Sequence, residues 1–516
     1  MTGAELMLQT ARAGGVDICF ANAGTTEIPI VEALDKNREI RVVLGLFEGV
    51  CTGAADGYGR LTGRPAMTLL HLGPGLANGI ANLHNARRAG TPIFNVVGEH
   101  ASWHIEADPP LAMDIAALGG TVSPWCRVIS PAKVFEDTKE ALEAAMKGQV
   151  ATLVCPADYM WSEVAQREVS PLNFSPQEPD SQSISLGVSF LRRERKTALI
   201  IGGDGLTARG LMAAARIRAA VGCDLLSVTF PPFLDSGVHL PKLNRIPYFP
   251  RQARKVLAPY EQFLLVGTEA PVAFFGYRDG VSKLTQVEQE CLRLDKGNRT
   301  AAVSLEALAD ALDAPPLEEA LSKERRERLV LSSPMGKIDA QKLAEAIACV
   351  QPEGAIVVEE GLMSGFYYHI LSPSLPPHSL ITLTGGSIGM GMPASLGAAL
   401  ACPDRVVINI EADGSAMYTV QALWSQAREG VNVITIICDN GKYSTIGYEY
   451  KVATGATPGP AAKALIDLCP PAIDWVSLGK SMGVPALLVH EAQDLTCALE
   501  IALREGGPHL IVAKIG

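Results

Sequence analysis

Short apolar runs alternate with helical patterns along most of the chain. Runs of four to seven mainly aliphatic residues are typical of strands covered on both faces of a parallel sheet. The alternation therefore predicts an α/β fold of doubly wound parallel sheets. The predicted strands are residues 17–21, 41–46, 66–70, 93–97, 152–155, 197–201, 224–228, 262–266, 355–358, 405–410, 432–438 and 509–513.

Two polar segments, residues 166–187 and 313–336, interrupt this alternation. The first is rich in Ser, Pro, Gln and Asn, and the second contains two adjacent prolines and a charged run at 323–328. Such compositions are typical of linkers. We therefore predict three domains, at residues 1–165, 187–313 and 336–516.

An internal similarity links residues 82–100 with residues 422–440. Both segments run from an amphipathic helix through Gly into an apolar strand with a polar end. The similarity suggests that the first and last domains are alike. His100 and Asn440 are then expected at equivalent carboxyl ends of strands, where open α/β sheets bind ligands.

Composition excludes several classes of protein. The 516 residues carry a formal charge of −11 without a basic patch, so we expect no nucleic-acid partner. The amino terminus lacks a secretory pattern, and Gly and Pro interrupt the charge-free stretch 361–403, so we expect no membrane span. The eleven cysteines never form C-x-x-C, which favours reduced thiols in a cytoplasmic protein.

Polar side chains follow two predicted strands of the last domain. The sequence EADGS begins at Glu411, DNG begins at Asp439, and a helix is predicted over 416–428. Oxygen ligands from Asp413 and Asn440 suit a hard cation such as Mg²⁺ or Ca²⁺, and the N–H groups at a helix start suit phosphate. A helix cap and a turn would account for the same residues without any ligand.

These two segments resemble the thiamine-diphosphate motif of the decarboxylase and acetolactate synthase superfamily, G-D-G-S followed about 27 residues later by N-N. Ala412 and Asp439 depart from that motif but spare the implied ligands. The resemblance implies three domains: pyrimidine-binding, central Rossmann-like and diphosphate-binding. It also implies that Mg²⁺ is bound by Asp413, Asn440 and the backbone carbonyl of Lys442. The diphosphate is then expected to contact Gly414 and Ser415.

A second match covers residues 47–60, FEGVCTGAADGYGR, and resembles the segment with the family's activating glutamate. The resemblance implies that Glu48 faces N1′ of the aminopyrimidine and stabilises the tautomer that removes the C2 proton. Because apolar residues flank Glu48, we expect the carboxyl group to be buried. Otherwise a Glu at a strand end is usually a solvated or capping residue.

A third match, residues 71–98, resembles the G-P-G loop of acetolactate synthases. His71 stands 23 residues after Glu48, as does an active-site histidine of benzoylformate decarboxylases. Thr25 matches a serine that contacts the substrate carboxylate there. Histidine moves protons near neutral pH, although each candidate histidine can also be structural or a solvated loop residue. The candidates for substrate and proton handling are His71, Glu99, His100 and His104.

Residues 385–399, GGSIGMGMPASLGAA, resemble the segment that holds thiamine in a bent shape. The resemblance implies that Ile388 wedges between the two rings, that the Gly386 carbonyl accepts from the exocyclic amine, and that Leu362 and Met363 lie against the diphosphate. Without the family, Ile388 would be interpreted as a core residue.

The middle domain contains GGDGLTA at 202–208 after a predicted strand, but no acidic residue ends the next strand. We interpret the segment as a tight turn rather than a dinucleotide site. The segment 230–250 lacks the G-x-H-G pattern of flavin-binding acetolactate synthases, so FAD is expected to be absent.

The resemblance implies an enzyme that cleaves or forms a carbon–carbon bond next to the carbonyl of a 2-oxo acid, either a decarboxylase or an acetolactate-synthase-like carboligase. In the family, the activating glutamate and the diphosphate site come from different subunits, which implies a homodimer or homotetramer. Two alternatives stay open. One is a catalytically impaired cofactor-binding or regulatory homologue; the other is a flavin- or nicotinamide-dependent oxidoreductase based on residues 203–208.

Overall fold

The computed structural model describes residues 1–174, 178–278, 280–295, 299–322 and 327–516. It contains three sheets of six, five and seven strands, and every strand pair but one is parallel. The prediction of three parallel-sheet α/β domains is therefore confirmed. Within the described residues, no helix combines the length and the apolar character needed to cross a membrane.

The first sheet has strand order β2-β1-β3-β4-β6-β5. Alternate residues of β1 enter different cores: Phe20 packs with the helices on one face and Cys19 with those on the other. The strands are β1 Ile18–Asn22, β2 Arg41–Leu44, β3 Ala66–Leu70, β4 Ile93–Glu99, β5 Trp125–Val128 and β6 Val150–Pro156. The helices are α1 Gly3–Ala13, α2 Ile28–Lys36, α3 Glu48–Thr62, α4 Leu72–Ala89, α5 Ile115–Gly120, α6 Val134–Met146 and α7 Ala157–Trp161.

Five of these strands were predicted, and edge strand β5 was missed. Strand β5 is half exposed and has Arg127 among its four residues, so it lacks the apolar run of a buried strand.

The middle region forms a second sheet with order β10-β8-β7-β11-β12. Its shortest strands escaped prediction because they contain few apolar residues. The strands in chain order are β7 Thr197–Ile201, β8 Asp224–Ser227, β9 Leu234–Ser236, β10 Asn244–Arg245, β11 Gln262–Val266 and β12 Glu290–Arg293, of which β9 joins the third sheet. The helices are α8 Ser181–Leu191, α9 Ala208–Val221, α10 Pro250–Leu257, α11 Ala301–Ala311 and α12 Leu317–Ser322.

Helices α8 and α12 lie partly or wholly inside the segments predicted as linkers. Residues 175–177 and 323–326 of those segments lie outside the described residues.

The third sheet has order β17-β18-β16-β15-β13-β14-β9, with β9 antiparallel to β14. Strands β14 and β17 were not predicted, because β14 follows two prolines inside the charge-free stretch and β17 is a short edge strand. The strands are β13 Ile356–Glu360, β14 His378–Thr382, β15 Val407–Ala412, β16 Val433–Asp439, β17 Ala486–Val489 and β18 His509–Lys514. The helices are α13 Ala340–Val350, α14 Phe366–Leu371, α15 Gly391–Ala401, α16 Asp413–Ala416, α17 Ala422–Glu429, α18 Ser444–Thr454, α19 Pro460–Ile466, α20 Trp475–Ser481 and α21 Ala492–Glu505.

The single helix predicted over 416–428 is wrong, because α16 and α17 are separate. Between these two helices, the hydroxyl group of Thr419 donates to the Gly389 carbonyl at 2.8 Å. This bond holds the turn that separates α16 from α17 against the segment before α15.

Helix α3 packs directly on α15, so the first and third domains share a core. The contact needs glycine: a β-carbon at Gly57 would overlap the carbonyl of Ala394, and one at Gly397 would overlap the carbonyl of Ala54. Nearby, the buried Arg60 pairs with Asp56 and donates to the carbonyls of Pro232 and Thr382. The GYGR end of the predicted motif thus joins all three domains.

Candidate active site

Four loops at the carboxyl edge of the first sheet carry predicted site residues. Thr25 follows β1, Glu48 follows β2, His71 follows β3 and His100 follows β4. Because these strands are parallel neighbours, their carboxyl ends lie side by side. The structure therefore brings these four residues to one edge of the sheet, and it places His100 at the end of a strand, as the internal similarity predicted.

His71 is held by a buried carboxylate that the sequence analysis did not single out. The Nδ1 atom of His71 lies 2.7 Å from Oε2 of Glu27, which has no solvent exposure. Glu27 also accepts from the Gly24 N–H at 2.8 Å and from the Thr26 hydroxyl group at 2.7 Å. A carboxylate on Nδ1 fixes the orientation of the ring and directs Nε2 outward.

Two glycines make this pair possible. A β-carbon at Gly98 would overlap the Glu27 carboxylate, and one at Gly24 would overlap the His71 ring. Glu27 lies in the segment that suggested Thr25, so the signal was a Glu directly before the first residue of the apolar helix α2. Nothing in the sequence paired it with His71, 44 positions away.

The other two histidines lie beside this pair. The rings of His100 and His104 are 5.7 Å apart in an edge-to-face arrangement. Burial lowers the pKa of His100, and the nearby charges of His104 and His71 lower it further. Burial raises the pKa of Glu99, whose Oε1 accepts from the His100 N–H at 2.7 Å. The Nε2 atom of His100 is buried without a partner in the described part of the chain.

Glu48 begins helix α3 and is less buried than expected. Its side chain is partly exposed, and Oε2 accepts from Nδ2 of Asn78 at 3.0 Å. The apolar neighbours predicted to cover it do not do so within this chain, because Leu46 is itself 46% exposed. The single chain therefore leaves Glu48 less buried than the sequence predicted.

At the third sheet, Asp413 occupies the start of α16 directly after β15. Its oxygens accept from the N–H groups of Gly414 at 2.8 Å, Asn440 at 3.1 Å and Gly441 at 2.7 Å. Burial raises its pKa. Within the described residues no cationic side chain forms an ion pair with it, whereas Asp439 pairs with Lys514 at 3.0 Å.

The residues implied around the diphosphate lie on neighbouring loops. The Asn440 side-chain oxygen accepts from the N–H of Lys442 at 3.0 Å. Gly414 and Ser415 are buried, and the ring of Tyr443 covers Gly414 so closely that a β-carbon would overlap it. Tyr443 was not predicted, and the packing role of Gly414 explains why no larger residue fits there.

A buried glutamate shapes the segment between β14 and α15. Both oxygens of Glu360 accept backbone N–H groups, from Gly389 at 2.6 Å and from Gly391 at 2.5 Å. Desolvation raises the pKa of Glu360 to about 7. Ile388, between these bonds, packs at the edge of the large core, and Gly386 has a φ of +75° that favours glycine.

Helix α4 fastens the same segment from the first domain. The side chain of Asn85 donates to the Ser387 carbonyl at 2.7 Å, and Asn82 bridges the carbonyls of Gly49 and Gly389. The loop that carries Ile388 is thus fixed from both domains.

The turn after β13 contains Leu362 and Met363. Leu362 has a left-handed φ of +52°, and its N–H donates to Oε1 of Glu359 at 3.0 Å. Glu359 is bound in turn by Nε2 of His369 at 2.9 Å. Met363 is 41% exposed beside this turn.

The chain therefore carries two half-sites at equivalent sheet edges. The described hydrogen bonds and ion pairs include none between Glu48 and Asp413. The third-domain half fits an anionic cofactor with a divalent cation, because Asp413 is a buried carboxylate that lacks a cationic partner. Asn440 and Lys442 offer further oxygens beside it.

This arrangement defines an α/β protein with two similar sheet domains, each of which carries candidate ligand-binding residues at the carboxyl edge of its sheet. Residues 1–118 match the family model for the thiamine pyrophosphate enzyme N-terminal TPP-binding domain, and residues 361–513 match that for the C-terminal TPP-binding domain. The chain belongs to this family and is a thiamine-diphosphate-dependent enzyme.

Three known proteins illustrate the relationship. A Mycobacterium tuberculosis protein named as an acetolactate synthase large subunit, IlvX, is 43% identical over 99% of this chain and 98% of its own length. Benzoylformate decarboxylase of Pseudomonas aeruginosa is 29% identical over 97% of this chain and 96% of its own. The structure of a 4-hydroxybenzoylformate decarboxylase from Rhodococcus jostii RHA1 superposes with a TM-score of 0.82 at 25% identity, covering 100% and 99% of the two chains.

Proposed function

We propose that this enzyme decarboxylates a 2-oxo acid. The observation that carries the proposal is the His71–Glu27 pair, in which a buried carboxylate lies 2.7 Å from Nδ1 and leaves Nε2 directed outward. A histidine held in this way can deliver a proton to the carbon that has lost CO₂.

The remaining site residues have distinct proposed roles. Bound thiamine diphosphate supplies the nucleophilic carbon and accepts the electron pair released by decarboxylation. Glu48 shares a proton with the aminopyrimidine ring, and Ile388 and Gly386 hold that ring in position. Thr25 binds the substrate carboxylate.

Further roles follow from the surroundings of each group. His100, His104 and Glu99 orient substrate beside His71. Leu362, Met363, Gly414 and Ser415 contact the diphosphate. Asp413, Asn440 and the Lys442 carbonyl hold Mg²⁺, because oxygen ligands suit a hard cation.

We propose that two copies complete each site, as a homodimer or a homotetramer. Exposed apolar side chains stand close in sequence to both half-sites: Leu46 is two residues before Glu48, and Met417 and Tyr418 follow Asp413 by four and five residues. A second copy would cover these surfaces and remove Glu48 from water. Analytical ultracentrifugation at nanomolar concentration tests this proposal; an active monomer would contradict it.

The glycine-rich turn of the middle domain supports a role without FAD or a nicotinamide cofactor. Gly202 packs so tightly on Gly267 that neither glycine has room for a β-carbon, and the Asp204 side chain accepts from the Ala301 N–H. Protein atoms thus pack closely against this turn. All eleven cysteines are free thiols, which supports a cytoplasmic location.

The substrate assay uses a panel of 2-oxo acids: pyruvate, 2-oxobutyrate, branched-chain acids, phenylpyruvate and benzoylformate. We expect CO₂ and an aldehyde from at least one of them. A second candidate, carboligation, is favoured by the 43% identity to a protein named for acetolactate synthesis, and it would give an acyloin instead. Cofactor binding without any product would support the catalytically impaired alternative.

The Glu27→Gln variant tests the proton-delivery role. We expect it to bind thiamine diphosphate normally by circular dichroism and to lose about 10- to 100-fold in kcat, since proton transfer by a positioned group contributes about that much or more. The control is Glu32→Gln, an exposed residue on α2. Unchanged turnover in Glu27→Gln would refute the role of the pair.

A further inference from the structure

A cavity of about 50 Å³ lies where the second and third sheets meet. Ser227 and Arg245 line it from the second sheet, and His369 and Ser372 line it from the third domain. Strand β9 crosses between them and adds Asp235 to a lining that is otherwise mostly apolar. The space is enough for about three water molecules, or for an anion of similar size. No residue proposed for catalysis or cofactor binding lines this cavity.

Arg245 brings unused hydrogen-bond donors to the cavity. Its Nε donates to the Thr229 carbonyl, and its guanidinium carbon lies 5.2 Å from the ring centroid of Phe230. A guanidinium group has five N–H donors, so the two Nη groups have capacity left. In the described part of the chain Arg245 forms no ion pair. Burial lowers its pKa, and the nearby negative charge of Glu359 offsets part of that effect.

The acidic groups around Arg245 are already bound elsewhere. Asp235 accepts from the Ser379 hydroxyl group at 2.9 Å and from the Ala208 N–H at 2.7 Å. Both oxygens of Glu359, behind His369, are likewise engaged, one by a backbone N–H and the other by the imidazole. Neither carboxylate accepts a hydrogen bond from the Nη groups of Arg245 in the described structure, although the charge of Glu359 attracts Arg245. The Nη donors of Arg245 are therefore available to a ligand.

We propose that a small oxyanion, a carboxylate or a phosphate, binds the Nη groups of Arg245 in this cavity and links the second sheet to the third. The planar fork of a guanidinium matches two oxygens of such an ion. On the far wall, His369 binds Glu359, which holds the N–H of Leu362. An ion here would thereby steady the turn assigned to the diphosphate, a consequence that rests on the proposed function.

Thermal unfolding of the cofactor-loaded protein tests the site with acetate and with inorganic phosphate, each compared with chloride at equal ionic strength. We expect a saturable rise of the unfolding temperature with at least one oxyanion, and the two arms show which one the site takes. Arg245→Gln should weaken that binding at least tenfold, while Arg251→Gln, on the exposed face of α10, should leave it unchanged. Equal stabilisation of Arg245→Gln, or none of the wild type, would overturn the proposal.

A measurement on the wild-type protein tests the site directly if the Arg245→Gln variant does not fold. A crystal soaked in selenate should show anomalous scattering within hydrogen-bond distance of the Arg245 Nη atoms, and a cavity containing only water would overturn the proposal. Repeating the titration without thiamine diphosphate separates the two hypotheses. If an oxyanion binds at Arg245, it should stabilise the wild type but not Arg245→Gln, both with and without the cofactor. If instead the proposed function is wrong, the protein should fail to bind thiamine diphosphate while the oxyanion effect is unchanged.

Discussion

The first and third domains share one topology but place different side chains at equivalent strand ends. Strand order β2-β1-β3-β4-β6-β5 of the first sheet corresponds to β14-β13-β15-β16-β18-β17 of the third, so β3 matches β15 and β4 matches β16. His71 and Asp413 consequently occupy equivalent strand ends, and so do His100 and Asn440. The internal similarity predicted from the sequence reflects this correspondence.

The surroundings of the equivalent residues differ sharply. His71 is paired with the side chain of Glu27, whereas Asp413 is bound only by backbone N–H groups in the described structure. A side-chain pair fixes a ring that can transfer a proton. Backbone N–H donors carry no net charge, so they leave the negative charge of a carboxylate available to bind a cation. The difference shows that the residues after each strand, rather than the strand order, decide what each half-site can do.

The largest effect is expected from Glu48, the group of the first domain that we propose activates the cofactor. Glu48→Gln should keep thiamine-diphosphate binding but lose about 1,000-fold in kcat, because a proton-transfer group contributes about 10²- to 10⁴-fold. Stopped assays of CO₂ release and circular dichroism of the bound cofactor measure the two properties separately. The control is Glu32→Gln, and full activity in Glu48→Gln would mean that the first domain does not supply the activating group.

A substitution in the third domain should change the affinity for the cofactor and its metal ion rather than the turnover number. Asp413→Asn removes the buried negative charge, so we expect affinity for Mg²⁺ and thiamine diphosphate to fall about 100-fold, comparable with loss of a group that tunes a metal site. Calorimetric titration measures this change. Asp439→Asn is the matched control, since Asp439 pairs with Lys514 and should keep its affinity within a few-fold. Equal losses in both variants would remove the distinction between the two aspartates.

Acid sensitivity should arise in the third domain, at the strand that joins β9. Burial lowers the pKa of His378 to about 4, while its Nδ1 faces the Pro376 carbonyl at 2.7 Å and its Nε2 faces the Ser372 hydroxyl group at 2.8 Å. Neutral His378 thus stabilises the fold fully above pH about 6.5, and this contribution is lost as the pH falls toward about 4. The loss is up to about 3 kcal/mol, since each unit of pKa difference is about 1.4 kcal/mol.

Urea unfolding between pH 4 and pH 7 measures this contribution. His378→Asn should flatten the pH dependence relative to the wild type, whereas His490→Asn, at an exposed position, should not. An identical slope in the wild type and His378→Asn would place the acid-sensitive group elsewhere.

The smallest effect concerns the contact between the two domains. Gly57→Ala places a β-carbon against the Ala394 carbonyl and should destabilise the fold by about 1–3 kcal/mol, the usual cost of overpacking. A shift in the midpoint of urea unfolding measures it. Gly120→Ala is the control, because the space around Gly120 is open. A neutral Gly57→Ala would show that α3 and α15 can separate at little cost.

Much of the fold was predictable because buried parallel strands are continuous apolar runs. All twelve predicted strands exist, with ends shifted by no more than two residues. The missed strands β5, β10, β12 and β17 are short or polar edge strands, and the buried strand β14 was missed because it follows two prolines. Strand β9 depends on a partner in another domain, which no local pattern reveals.

By itself, the sequence determined the strand runs, the strand-end positions of Glu48, His71, Asp413 and Asn440, and the family motifs, because each of these is a local pattern. The tertiary structure decided the partners of those groups. Glu27 reaches His71 across 44 positions and Glu360 reaches Gly391 across 31, since both pairs depend on adjacent strand ends and on the space that glycines leave. Packing likewise left Glu48 partly exposed and left Asp413 without a cationic side chain beside it in the described residues. Both outcomes depend on which chain segments meet in space.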